Sequence, residues 1–544
     1  MHNFNSKFEK FTKVDYIIFG IIILIYGLFS FFRLGNLHSP NTFYSKSGSN
    51  SIILDLKKED YINKIKIFSG VRASDFTILI SSDGVEYDYL RSFRNGHVFN
   101  WEIFDVSTRA RYLKFDFDDE TSIGEIGVFN YSKDYDYVAF DNHNHKINTL
   151  NDEKKLIPKE KSYMNSMYFD EVYFARTAYE YVYNLKTYEW THPPLGKIIQ
   201  AIPIYITHNM SPFNYRLMGN ISGILLVGVM YLFGTFISKK RKYGIFAALL
   251  MALDTFHFAH TRMGTVDSHL VLFIVLSVFF MLIFINNKKY KYMFLSGLFF
   301  ALCVCVKWTA FYTGIALALI YFYFLFKNKL FNIKHIGLGF LFFVFVPLLL
   351  YLSVFYVFSN NFYVTNNIHN IILENIKMFS YHSKLEATHN FSSKWYTWPI
   401  SYKPVWYHYI NYFDKAESIS GIGNIVIWIC GIIGVLYCLI KFIIKKDINC
   451  FCLLICVFSM WLPYFFINRI MFLYHYFPVL PFLFLSLMYF VYDIDVKFKI
   501  RYLMYVILLF AYVFFVFYYP VVSGFRVSND YLNRLELFES WHFS

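Results

Sequence analysis

The sequence predicts a polytopic α-helical membrane protein with a β-sandwich inserted after its first helix, and three observations predict it. Residues are 56% hydrophobic and only 16% charged, too apolar for an ordinary soluble domain. Long apolar runs, each near the ~20 residues that cross a bilayer, alternate with short Lys/Arg clusters. One early stretch breaks this texture with strict apolar/polar alternation, the period of a half-buried strand.

Taken in order, residues 1–14 are a basic start (Lys7, Lys10, Lys13), expected in the cytoplasm. Residues 15–33 form the first span; the run Tyr16 to Phe32 is uncharged and lacks a small-residue cleavage site, so it reads as a retained helix. Residues 41–130 hold SIILDL, KIKIF, FTILIS and RYLKFDF, punctuated by Asp-Gly and Ser-Gly, and read as an extracytoplasmic antiparallel sandwich. The polar stretch 131–167 reads as a linker, which would make the sandwich a self-contained module on a tether. Residues 168–520 form the main membrane domain and 521–544 an extracytoplasmic tail.

Spans are expected near 15–33, 215–237, 244–260, 268–286, 291–306, 308–326, 336–358, 421–441, 449–467, 472–492 and 501–520, about eleven in all. With the N-terminus inside, the basic loops Lys239 to Lys242, Lys288 to Lys291, Lys327 to Lys334, Lys441 to Lys446 and Lys497 to Arg501 all fall on the cytoplasmic side. The net charge of +13 therefore reports topology, and a nucleic-acid partner is not expected. All seven cysteines lie in or beside apolar runs, so no disulfide framework is indicated. The abundance of Ile, Phe, Tyr, Lys and Asn fits an AT-rich bacterial genome and hence a bacterial cytoplasmic membrane.

Chemistry is concentrated in the stretches placed outside. YFDEVYFARTAYEYVYNLKTYEWTHPPLGK (Tyr168 to Lys197) opens with Asp170 and Glu171 at a helical pattern and closes on His192 and Lys197. An acidic pair at a helix start also complements the helix dipole, worth about 0.3–1 kcal/mol, so it is not diagnostic alone. Further along stand Arg216 in FNYRLMGN, Arg262 and Asp267 in TRMGTVDSHLVLF, and Lys307 and Trp308 in VKWTAFY. RIMFLYHYFPVLPF carries Arg469 and His475, and YHSKLEATHNFSSKWYTWP carries His382, His389, Trp395 and Trp398. Asp267 doubles as a candidate N-cap. The two tryptophans fit sugar stacking or an interfacial aromatic belt. Asp254, His257 and His260 have ligand-like spacing, but polar residues at a membrane face explain them better, and no metal site is expected.

In order, spacing and sidedness these motifs resemble the protein O-mannosyltransferase family, similar to glycosyltransferase family 39, over about residues 165–490. The family's first external loop carries an Asp-Glu pair and a His-Pro-Pro-Leu-Gly-Lys motif. Tyr474 departs from it, standing where a histidine is usual, and 359–420 is too short for the β-trefoil of eukaryotic members. Residues 41–130 resemble the discoidin, or coagulation factor type C, fold.

The resemblance implies a GT-C membrane fold and transfer of a sugar, mannose by the same resemblance, from a polyprenyl-phosphate carrier to Ser/Thr hydroxyls of an extracytoplasmic protein. Asp170 would be the base with Glu171 as its partner. Arg216 and Arg469, then Arg262 and Lys307, would meet the phosphate, a role to which arginine geometry is suited. Asp267, His192, Lys197, His475, His382 and His389 would complete the donor site, with Trp395 and Trp398 stacking on sugar or acceptor. No cofactor is firmly implied by the resemblance, whose donor substrate is the lipid-phosphate sugar, and divalent-cation dependence is left open. Two alternatives stand: the same chemistry on a glycolipid or cell-wall acceptor, as in aminoarabinose transferases of lipid A, and a non-catalytic sugar receptor or transporter.

Overall fold

The structure, a computed structural model, describes residues 11–94, 97–131, 133–358 and 368–544. Lys7, Lys10 and the first part of the 359–420 stretch lie outside the described residues. The chain folds as two compact units, one of residues 33–188 and 201–217, the other of 1–32, 189–200 and 218–544.

Helix α1 (Lys13–Phe31) is followed by the strands of the 33–188 unit: β1 (Tyr44–Lys46), β2 (Asn50–Ser69), β3 (Phe76–Ser81), β4 (Asp88–Phe93), β5 (Trp101–Phe117), β6 (Thr121–Asn130), β7 (Lys133–Asp134), β8 (Val138–Asp141) and β9 (Lys146–Ile147). They form one antiparallel sheet in the order β1-β6-β2-β5-β3-β4. The long β2 bends at register shifts between Asp55 and Asp60 and between Ile62 and Lys64. Its first half therefore pairs with β8 and its second half with β6, wrapping the sheet around its own core. Alternating residues such as Ile52, Leu54, Ile65, Ile67, Leu113 and Phe115 fill that core.

The stretch 131–167 is not a tether. β8 adds to the sheet, Leu150 is fully buried, and Tyr163 and Met167 are buried beyond it. The polar texture that suggested a linker belongs to short edge strands whose alternate residues face solvent. The same unit contains α2 (Glu171–Val182) and parts of α3 (Leu195–Thr207) and α4 (Pro212–Ser238). Phe68, Phe99 and Trp101 from the sheet share a second core with Ala175 and Tyr179 of α2 and Ile204 of α3.

The other unit is helical: α5 (Arg241–Ala252), α6 (Thr255–Thr261), α7 (Asp267–Asn287), α8 (Tyr290–Val304), α9 (Phe311–Lys327), α10 (Ile333–Phe340), α11 (Val346–Phe358), α12 (Ile368–Lys384), then hairpin β10 (Val405–Tyr412) and β11 (Lys415–Gly421), α13 (Ile425–Lys445), α14 (Ile448–Trp461), α15 (Leu480–Phe498) and α16 (Tyr502–Ser523). Among the described residues nine helices are long and apolar enough to cross a membrane, or ten if one bent pair counts as a span, against the expected eleven or so. The difference has two causes. The expected span 244–260 is broken into α5 and α6, bent by 63°, and α8 has only 15 residues. The break sits at Asp254, whose carboxylate accepts hydrogen bonds from the His257 and Asn424 backbones and the Trp428 indole. It therefore starts α6 as an N-cap.

Several helices stop in the basic clusters. Lys288, Lys446 and Lys499 end α7, α13 and α15 in the left-handed conformation. A cation there complements the carbonyl end of the helix dipole.

Candidate active site

In the sheet-bearing unit, Asp170 is the half-buried N-cap residue of α2, and its side chain makes no capping hydrogen bond. Its neighbour Glu171 is fully buried against the equally buried Arg216. The pair is bidentate: Arg216 Nε lies 2.6 Å from Glu171 Oε1 and Nη2 lies 2.8 Å from Oε2. Arg216 Nη1 donates to the carbonyls of Leu34 at 3.0 Å and Tyr163 at 2.8 Å, and Nη2 also donates to Ser166 at 3.3 Å. These contacts engage all five guanidinium N–H groups. Arg216, expected at the phosphate, instead ties the turn before α2 to α4. Glu171 is its counter-ion, so the two members of the acidic pair have different surroundings, Glu171 buried in an ion pair and Asp170 half-buried at the start of α2.

In the helical unit, the His-Pro-Pro-Leu-Gly-Lys motif is anchored from within. Lys197, fully buried on α3, donates to Glu189 Oε2 at 2.6 Å and to the carbonyls of Glu189 and His192 at 2.8 and 2.9 Å. That uses its three N–H bonds, and the ammonium serves a buried ion pair where a donor-site contact was expected. His192 Nδ1 lies 3.0 Å from the other Glu189 oxygen. Burial works to raise the Glu189 pKa, but Lys197 and His192 outweigh it and hold the carboxyl well below its ordinary range. Burial pushes His192 below its ordinary value against the pull of Glu189. Glu189 was missed in the sequence because nothing in a linear reading pairs it with a lysine eight residues on.

This loop helps to line a cavity of about 750 Å³ that gathers His192, Asp267, Lys307, His382, Arg469 and His475. Trp308, Tyr312, Tyr464 and Tyr474 form aromatic walls, and Glu386 also faces it. Asp267 is the first residue of α7, with Val266 as the N-cap, and its oxygens lie 2.8 and 2.9 Å from Lys307 Nζ. His382 Nε2 lies 2.7 Å from the Thr191 carbonyl, which only accepts, so the ring proton is on Nε2. His382 Nδ1 then accepts from Arg469 Nη1 at 3.1 Å. Burial, and then the neighbouring His192, push the His382 pKa down to about 4, which keeps it neutral for this task. The phosphate-suited cation Arg469 is thus oriented by a neutral imidazole.

Other expected contacts fall elsewhere. Arg262 donates to the carbonyls of Ser30 at 3.0 Å and Phe32 at 2.7 Å, capping the C-terminal end of α1. Trp398 is fully buried, stacked on His475 at 5.9 Å, and Trp395 packs edge-on to Trp461 and Phe465. His389 is exposed and lies edge-on to Phe472. None of these lines the cavity. His257 contacts Tyr26 at 3.1 Å and His260 contacts Tyr407 at 2.9 Å, so Asp254, His257 and His260 each turn to a different partner.

The helical bundle carries a cationic, aromatic-walled cavity at the helix ends opposite its lysine-rich turns, and its sequence matches place it in the class of membrane glycosyltransferases that use lipid-phosphate sugars. Residues 159–363 match the sequence model described as dolichyl-phosphate-mannose-protein mannosyltransferase, and residues 367–541 match the C-terminal four-transmembrane region of protein O-mannosyltransferase. The chain belongs to this family. Among solved structures, the Saccharomyces cerevisiae Pmt1-Pmt2 complex bound to the sugar donor is similar at TM-score 0.62 and 14% identity, over 70% of this chain and 89% of that one. ArnT from Cupriavidus metallidurans is similar at TM-score 0.43 and 14% identity, over 59% and 54% of the two chains. The module CpGH89CBM32-6 from Clostridium perfringens is similar at 26% identity and TM-score 0.16, over 18% of this chain and 82% of that one. Comparison with curated proteins found no match.

Proposed function

We propose that the protein transfers mannose from a polyprenyl-phosphate carrier to Ser/Thr hydroxyls of protein segments on the outer face of the bacterial cytoplasmic membrane. One observation carries this reading. Of the four cations expected at the phosphate, Arg216 and Arg262 are held by groups of the chain away from the cavity, whereas Lys307, paired with Asp267, and Arg469, held by His382, both line it. Two cations in a desolvated pocket stabilise a leaving phosphate far better than they do in water.

The acceptor hydroxyl gives its proton to a carboxylate base, for which Asp170 is the candidate by resemblance, as its oxygen bonds to the sugar C1. The bond from C1 to the phosphate oxygen breaks, and its electron pair leaves with the phosphate, held by Arg469 and Lys307. A single displacement inverts the anomeric centre, so a β-linked mannosyl phosphate yields an α-mannoside. A positioned carboxylate base contributes about 10²–10⁴ in rate.

Asp170→Asn removes proton acceptance at almost constant volume and should lower kcat by at least about 10². The test uses sealed right-side-out vesicles with donor in the membrane and a Ser/Thr peptide added outside. Wild-type vesicles mannosylate the peptide and D170N vesicles do not. Transfer only after permeabilisation would overturn the orientation, and near wild-type turnover by D170N would remove Asp170 from the mechanism.

A further inference from the structure

Behind the Lys307–Asp267 pair lies a buried imidazole that the chemistry above does not use. His260, on α6, is 1% exposed, and its Nε2 lies 3.7 Å from Asp267 Oδ2, beyond hydrogen-bond length. Nε2 has no hydrogen-bond partner among the described residues. Leaving a buried donor unpaired is costly, so such an atom asks for an explanation.

Several features aim this ring. It stacks near-parallel with the rings of Phe256 (5.2 Å, 16°) and Tyr474 (6.0 Å, 19°). Its Nδ1 meets Tyr407 Oη at 2.9 Å. Tyr407 reaches there from a β-bulge: the β10–β11 register slips between Trp406 and His408, and a bulge re-aims the side chain it carries. Across the hairpin, Gly421 makes the room, since a Cβ there would stand 2.3 Å from the Tyr407 hydroxyl. In the tautomer in which Tyr407 donates to Nδ1, the ring proton sits on Nε2 and faces Asp267.

We propose that His260, set by Tyr407, is a positioning residue that takes over Asp267 when Lys307 turns to the donor phosphate. The inference rests on the reading of Lys307 as a phosphate ligand. Once the ammonium shares its charge with phosphate, Asp267 is left under-compensated in a buried site, where an unpaired carboxylate is strongly disfavoured. Closing the 3.7 Å gap gives that carboxylate a new N–H donor. The proton stays on Nε2, and Asp267 no longer pulls the ammonium back. Tyr407 keeps the imidazole in the required tautomer, as an orienting partner does for a metal-bound histidine.

The test is steady-state transfer by the purified full chain in detergent, with polyprenyl-phosphate-mannose varied and peptide acceptor held constant. His260→Asn keeps a polar atom near Nδ1 and loses the one near Nε2; it should raise the donor KM about tenfold with kcat within about twofold, the signature of lost binding. His260→Gln places an amide near Nε2 and should rescue most of that loss. Tyr407→Phe should raise the donor KM about threefold. Equal effects of the Asn and Gln variants, or a kcat effect with donor KM unchanged, would overturn the relay. Lys307→Met is run beside them. An unchanged donor KM in K307M removes the phosphate reading itself, whereas a raised KM in K307M with none in H260N removes only the relay. If neither His260 variant folds, an unchanged donor KM in Y407F decides against it.

Discussion

Each cation expected at the phosphate is sorted by where its N–H groups go. Arg216 and Arg262 spend theirs on a carboxylate and carbonyls of the chain, while Arg469 is held at the cavity by His382. The state of His382 therefore governs Arg469. Its folded pKa of about 4 lies below the ordinary 6.5, so between these values the unfolded chain binds the proton and the folded chain does not. The stability that follows is fully present above pH 6.5 and is lost as pH falls toward about 4. His382→Gln keeps a donor for the Thr191 carbonyl without a titrating ring. Thermal unfolding followed from pH 7 to 4 should show a shallower acid decline for H382Q than for wild type, and identical slopes would contradict the assignment.

At the scale of elements, helices of the 218–544 unit meet closely at α13 and α15, where glycines remove the side chain. A Cβ on Gly434 of α13 would stand 2.5 Å from the Leu487 backbone nitrogen of α15, whereas one on Gly431 would meet only the Leu483 side chain, at 2.6 Å. Small residues give such close approach in membrane helices, where van der Waals packing drives association. A backbone cannot move aside, but a leucine can change rotamer. Gly434→Ala should therefore destabilise by about 1–3 kcal/mol and Gly431→Ala by clearly less. Melting of the detergent-purified variants measures this, and equal losses would refute the packing argument.

For the molecule as a whole, the sandwich is part of the unit that carries Asp170. Phe99 packs edge-on to Tyr179 of α2 at 4.9 Å, and Trp101 is buried in the same cluster. Removing residues 41–130 would strip one wall from the core on which α2 rests, exposing several large apolar side chains at about 1.5–3 kcal/mol each. That exceeds the margin of a typical domain. The deletion should leave no monodisperse protein in fluorescence-detected size exclusion, and no transfer even to a small peptide. A folded deletion variant with wild-type peptide turnover would restore the tethered-module picture.

Helix count, sheet type and the residues of the cavity were largely legible in the linear chain, because bilayer length, strand alternation and residue-type motifs are local properties. Asp267, Lys307, Arg469, His192, His382 and His475, which line the cavity, all appear there as candidates. Partner choice did not show. Whether a buried cation faces a ligand or a protein carbonyl depends on groups far away in sequence: Arg216 is held by Leu34 and Glu171, and Arg262 by the end of α1. The break at Asp254 likewise depends on Asn424 and Trp428, some 170 residues on. Sequence by itself determined the class of elements and the kinds of side chain at the site, since both follow from local composition and spacing. Only the tertiary structure decided which charges were already satisfied, because neutralisation in a desolvated interior is a property of neighbours in space.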